Sequence, residues 1–149
     1  MISDRRLQEL LDLEAIKQLK ARYFRLMDTK QWDEWALVFA EDCVMEVPEA
    51  NAVYNGRLEI VTRVSSVLAS AQTAHHGHMP EIELTGEHTA RGTWAMFDYV
   101  EFPERDGTRV GLQSYGHYRD EYVRDDGVWR VARSRLERLR VDALGASLT

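Results

Sequence analysis

Cysteine is almost absent from this chain: Cys43 is the only one in 149 residues. No internal disulfide can form, and no thiolate cluster can hold zinc or an iron–sulfur centre, so a reducing cytoplasm is the expected setting. Long apolar runs are missing too. Met1 to Arg6 is charged and leads into an amphipathic segment, without the apolar core of a signal peptide or a membrane span. Nor is there an excess of positive charge. A formal net charge of −6 and a pI near 5.4 oppose a polyanionic partner, because non-specific nucleic-acid affinity comes mainly from Lys and Arg meeting phosphates. Nucleic acid and membrane are therefore not expected as partners. Gly-rich phosphate loops, nucleophile elbows and Cys/His dyads are also lacking, so covalent catalysis is not indicated.

What the chain does carry is length for one domain with a real core, spanning about 7–141. Leu7, Leu10, Leu11, Ile16, Leu19, Tyr23, Leu26 and Met27 recur at spacings of three and four among charged residues. That pattern predicts a long amphipathic helix ending near Thr29. A second helix is expected over Trp32 to Phe39, a short strand over Val44 to Val47, and a third helix from Leu58 to Ala71 after the Asn55-Gly56 turn. From Thr73 the period changes to two. Strands are expected over Thr73 to Leu84, Ala90 to Phe102, Val110 to Arg124 and Val128 to Arg140, with hairpin turns at Thr85-Gly86, Asp106-Gly107 and Asp126-Gly127. The tail beyond Asp142 reads as frayed. Helices followed by an antiparallel meander make an α+β domain with helices covering one sheet face.

One parity of the second long strand reads Ala90, Gly92, Trp94, Met96, Asp98, Val100, Phe102. Asp98 thus shares the face of an apolar stripe, where a carboxylate loses solvation and its pKa rises unless a cation or hydrogen-bond donors compensate. Such groups gather at active sites, although a bulge could equally turn a lone aspartate to water. Tyr23 lies on the apolar stripe of the first helix, so its hydroxyl is delivered inward and could polarise a carbonyl. Asp28 falls at that helix's C-terminal end, where the macrodipole disfavours a carboxylate unless a cation such as a histidine stands near. Simple helical geometry sets Asp28 well off the Tyr23 direction, so both face one pocket only if the helix end unwinds.

In His75-His76-Gly77-His78, His75 points opposite to His76 and His78 if the segment is a strand, and the spacing matches no standard zinc motif. No metal or cofactor is expected. An inward histidine beside an aspartate suits acid–base work near neutral pH, but periodicity does not decide which of the three faces inward. The last strand carries Arg130, Arg133, Arg135, Arg138 and Arg140, a run that reads chiefly as a solvated face with Glu137 among its partners. Arg138 shares parity with Ala132 and Leu136, which points it inward.

With these residues in view, the chain resembles the SnoaL-like branch of the nuclear transport factor 2-like (NTF2-like) superfamily over Leu11 to Val141. Within it the chain is most similar to the bile acid 7α-dehydratases. The resemblance rests on Asp12-Leu13-Glu14-Ala15-Ile16-Lys17, Lys20-Ala21-Arg22-Tyr23-Phe24-Arg25, Trp32-Asp33-Glu34, His75-His76-Gly77-His78-Met79-Pro80-Glu81-Ile82 and Thr89-Ala90-Arg91-Gly92-Thr93-Trp94. It implies a cone-shaped α+β fold with catalytic positions at Tyr23, Asp28, His75 and Asp98 and an arginine at Arg138. More distant likeness to scytalone dehydratase and a dehydrochlorinase implies an Asp–His pair at Asp28 and His75. Where both dehydratases carry a tyrosine after the second helix this chain has Val47, so that hydroxyl is either missing or supplied elsewhere, with Tyr54 and Tyr115 as candidates.

The resulting expectation is a cofactor-independent dehydratase acting on a hydrophobic, carbonyl-activated polycyclic alcohol. A 7-hydroxy-3-oxo-4-ene steroid or a scytalone-like polyketide is a candidate substrate. Trp94, His78 and Arg138 are the expected substrate-binding residues, and a homo-oligomer, dimer or trimer, is the expected assembly. A ketosteroid-isomerase-like isomerase and a non-catalytic binding or assembly module are the alternatives.

Overall fold

The computed structural model describes residues 1–145. Helix α1 (Asp4–Asp28) starts where the Ser3 hydroxyl accepts the Arg6 N–H, and it buries Ile16, Leu19, Tyr23, Phe24, Leu26 and Met27 as the spacing predicts. Leu7, Leu10 and Leu11 stay exposed, so the packed stripe begins only at Asp12. Asp12 is itself a tether, accepting from Arg124 at 2.8 Å and from the Trp129 indole at 3.0 Å.

Helix α2 (Trp32–Ala36) is shorter than its spacing predicts, and strand β1 (Phe39–Val47) is longer. The reason is tertiary pairing. The Val131 N–H donates to the Val38 carbonyl and Phe39 pairs with Val131, so the segment after Trp35 completes the sheet instead of another helical turn. A 3₁₀ turn (Pro48–Ala50) and a four-residue strand β2 (Ala52–Asn55) follow, neither signalled by periodicity. Helix α3 (Arg57–Leu68) then leads to the long strands β3 (Gln72–Leu84), β4 (Thr89–Arg105), β5 (Thr108–Asp125) and β6 (Val128–Ala143).

The sheet order is β2-β1-β6-β5-β4-β3, antiparallel except where β1 lies parallel to β6. This is the expected α+β class, with N-terminal helices packed on a curved, mostly antiparallel sheet. Asp106-Gly107 and Asp126-Gly127 hold positive φ at both positions (51° and 74°; 48° and 74°), the geometry that matches a hairpin turn to strand twist. Past Asp142, β6 continues to Ala143 and the Leu144 N–H donates to Gly111; 146–149 lie outside the described residues.

Two register shifts in the β5–β6 ladder, near Ala132 and Leu139, set which β6 side chains face in. Ser134, Leu136 and Arg138 face the concave side, while Arg133 and Arg135 reach Glu46, Arg119 reaches Glu137, and Arg140 reaches Asp142 outside. Arg133, Arg135 and Arg140 therefore form a solvated ladder, Arg138 turns inward, and Arg130 is half-buried with its Nε shielded from solvent. Among the described residues no helix is long and apolar enough to cross a membrane.

Candidate active site

The helix terminus supplies the first element. Gln31 N–H bonds back to the Leu26 carbonyl and Lys30 adopts φ 62°, which closes α1 right after Asp28. From there Asp28 points at β3, not into the cavity. Its carboxylate accepts from the Thr73 hydroxyl (2.8 Å) and the His75 backbone N–H (2.8 Å), and it meets His75 Nδ1 at 2.6 Å. Burial works to raise the Asp28 pKa, but these hydrogen bonds outweigh it and hold the carboxyl below its ordinary value. Lys30, 2.8 Å from the Thr73 hydroxyl, adds a nearby cation. The angular conflict between Tyr23 and Asp28 thus dissolves without unwinding, because Asp28 reaches the pocket through His75.

Close approach of α1 to β3 makes this possible. A Cβ on Gly77 would stand 2.6 Å from the Phe24 ring, so only glycine lets the helix lie this near the strand. The approach also settles the histidine parity. His75 is buried and lines the cavity, whereas His76 and His78 are exposed on the opposite face, their rings 5.9 Å apart. With Nδ1 engaged by Asp28, Nε2 is the nitrogen left for the cavity.

Sheet register supplies the second element. His75 pairs with Asp98 across β3–β4, and Asp98 with Ser114 across β4–β5, so three polar side chains fall in one row of the concave face. Side chains directly opposite have Cβ atoms about 5 Å apart. Asp98 is 1% exposed and fully partnered: it accepts from the Ser114 hydroxyl and from Arg138 Nη2 at 3.0 Å. Arg138 Nε in turn donates to Ser114 at 2.8 Å, and Nη1 lies 3.8 Å from Glu49. The cation and donors that could offset the burial of Asp98 are therefore present. Arg138, predicted to bind substrate, has all three of its nitrogens turned to protein groups.

The cavity itself measures about 330 Å³. Its walls are apolar, with Met27, Met45, Val64, Leu68, Val100 and Leu136 among them, and His75, Asp98, Arg138, Tyr23 and Tyr118 converge on it. Tyr23 and Tyr118 stand edge to face, ring centroids 5.9 Å apart. Burial pushes both phenols well above their ordinary pKa, so both are protonated donors at neutral pH. Val47 forms part of the wall, Tyr54 lines the cavity, and Tyr115 turns to the outer face beside Phe97.

The structure thus brings together Tyr23, His75, Asp98 and Arg138, with Asp28 behind His75, and it corrects two expectations. His78 is outside the cavity because it lies on the outer parity of β3. Trp94 has the inward parity but the wrong depth: it sits roughly 13 Å along β4 from Asp98, and its indole donates to the Tyr122 hydroxyl at 2.9 Å in the packed core. Tyr54, one of the two expected alternatives, lines the cavity, whereas Tyr118 and Ser114 are not among the expected site residues. Tyr118 and Ser114 share the inward parity of β5, the one signal that marks them.

Comparison with solved structures places this geometry in context. A protein of Novosphingobium aromaticivorans assigned as a scytalone dehydratase superposes with a TM-score of 0.81 at 22% identity, over 95% of this chain and 91% of that one. A hexachlorocyclohexane dehydrochlorinase gives 0.83 at 20% identity, over 95% and 94%. An NTF2-like protein with a cystatin-like fold, also from Novosphingobium aromaticivorans, gives 0.71 at 22%, over 93% and 92%. At these identities the likeness establishes the fold. Residues 8–135 match the SnoaL-like domain family, and the chain belongs to that family.

Proposed function

We propose that this protein is a lyase that eliminates water from a hydrophobic, carbonyl-activated polycyclic alcohol by side-chain acid–base chemistry. The observation that carries the reading is the His75–Asp28 pair: Nδ1 is fixed by a carboxylate at 2.6 Å, and the opposite nitrogen is left to an apolar cavity shared with two phenols and Asp98. Two similar structures bear the names of a dehydratase and a dehydrochlorinase, both of which remove H–X from neighbouring carbons.

In this scheme His75 Nε2 takes the proton from the carbon that the substrate carbonyl acidifies, directly beside it or through a conjugated C=C bond, and Asp28 stabilises the imidazolium that forms. Tyr23, with Tyr118 beside it, donates to the carbonyl oxygen as enolate charge develops, an interaction stronger in the transition state than in the ground state. The enolate, or dienolate where a C=C bond intervenes, then expels the hydroxyl on the carbon next to the deprotonated one while the imidazolium returns its proton to it. The C–H and C–O bonds break, a C=C bond forms, and water leaves. Asp98, held by Arg138 and Ser114, accepts from the departing hydroxyl and orients it.

A cavity of about 330 Å³ with mostly aliphatic walls fits a compact polycycle, including a 7-hydroxy-3-oxo-4-ene steroid or a scytalone-like polyketide. Because Arg138 is engaged by Asp98, Ser114 and Glu49, a substrate carboxylate would have to displace Glu49 to reach it. Mass spectrometry for water loss across a panel of hydroxylated 3-oxo-4-ene steroids and hydroxylated polyketide ketones tests the proposal. Loss of water by the wild type and none by His75→Gln supports it. Double-bond migration without water loss would replace it with isomerisation, and ligand binding without turnover would replace it with a carrier role.

A further inference from the structure

Beneath the cavity floor lies an ion pair with no part in the elimination scheme. Lys20 Nζ is 2.7 Å from Asp120 Oδ2, and both side chains are fully buried. Asp120 also accepts from the Ser134 hydroxyl (2.7 Å) and the Tyr122 hydroxyl (2.9 Å), so its carboxylate is fully engaged. On its other side the Lys20 ammonium faces aromatic rings. It stands 4.2 Å from the Tyr23 centroid, 3.9 Å from Tyr118 and 5.2 Å from Phe24. Tyr23, Tyr118 and Ser134 all line the cavity.

Stability does not account for this arrangement. A buried ion pair commonly contributes no more than well-packed apolar side chains of the same volume, because both charges lose their water. Position does suggest a role. Lys20, Tyr23 and Phe24 fall at i, i+3 and i+4 of α1, so the lysine stem runs under both rings, and Tyr118 closes over it from β5. An ammonium at the π face attracts the ring, and in a dry interior its charge is felt several ångströms away.

We infer that Lys20 is a positioning residue of the site: anchored by Asp120, its ammonium clamps the Tyr23 and Tyr118 rings by their faces. In doing so it gives the two-phenol wall a preference for a ligand oxygen that carries negative charge. The chemical purpose rests on the reading under Proposed function, whereas the clamp and the preference are measured by binding and spectroscopy without turnover.

The test compares 2-naphthol, whose oxygen ionises, with 2-methoxynaphthalene, whose oxygen does not, by fluorescence titration of the full-length protein. Wild type binds the naphthol more tightly. Lys20→Met lowers the naphthol-to-ether affinity ratio by about tenfold, as expected for a lost cation–π and charge contact, and Lys20→Arg retains more of it. Because Lys20→Met strands the Asp120 carboxylate, the titration is repeated on Lys20→Met/Asp120→Asn, which removes both charges, with circular dichroism to check the fold of each variant. An unchanged ratio in either folded variant, or an equal loss for both ligands, overturns the inference. Tyrosine Cζ carbon NMR gives a ligand-free arm: in the same variants the Tyr23 and Tyr118 resonances shift from their wild-type positions. Unmoved resonances overturn the clamp even if the wild type binds neither probe, a result that would count separately against the pocket reading.

Discussion

Two aspartates on neighbouring strands share one chemistry and meet different fates. Asp98 on β4 and Asp120 on β5 both face inward, are 1% and 2% exposed, and each accept from a serine and a basic side chain. The difference lies in the cation. Arg138 stands at the cavity rim, its side chain 16% exposed and within reach of Glu49, while Lys20 is sealed beneath the tyrosines, where Asp120 is its one ion-pair partner among the described residues. The same triad is a working wall where the sheet opens and a foundation where the helix covers it. Depth along the strand, not residue type, separates the two.

The strongest way to break this contrast is to remove the residue that gives the open end its chemistry. His75→Ala is expected to lower turnover by roughly a hundred- to ten-thousandfold with the fold intact, the usual effect of losing a general acid or base; steady-state kinetics and circular dichroism check it. Next comes the sealed cation. Asp120→Asn leaves Lys20 buried and unpaired, which costs about 3–5 kcal/mol in chemical denaturation. Asp98→Asn leaves Arg138 with Glu49 and the rim, so its cost is smaller, about 1–3 kcal/mol, and activity falls with it. Equal costs for the two substitutions would erase the distinction drawn between them.

A pH titration sharpens the helix end. The Asp28 pKa is depressed in the folded protein relative to 3.8, so its stabilisation is present above the unfolded value and is lost as pH falls through the folded one. Melting temperature should therefore drop below about pH 4, where unfolded aspartates take up protons, and drop less steeply for Asp28→Asn. The smallest effect belongs to the solvated ladder: Arg133→Gln, which breaks an exposed pair with Glu46, should change stability by less than about 1 kcal/mol.

Much of this fold was legible because its signals are local. The helical stripe of α1 and the two Asp-Gly hairpin turns of the meander act within a few residues, and they fall where spacing puts them. The stretch Val38–Phe39 has helical spacing, yet its pairing is set by Val131, far along the chain. Parity found Asp98 and Tyr23 but said nothing of depth, so Trp94 was assigned to a cavity it does not reach. Strand parity turns Ser114, Tyr118 and Asp120 inward, but only three-strand register and helix docking set them beside Asp98 and Lys20. His75 was singled out among its neighbours by resemblance; the contact with Asp28 gives the physical reason.

The central claim is that His75 Nε2 acts as a base on carbon inside the cavity, and it can be tested without knowing the substrate. A hydrophobic bicyclic ketone with no leaving group, such as 1-tetralone, is incubated with the protein in D₂O, and exchange of the protons beside its carbonyl is followed by NMR. The account predicts exchange well above background with wild type and background exchange with His75→Ala. Exchange at the same rate in both, or at background in both although the ketone binds, would contradict it.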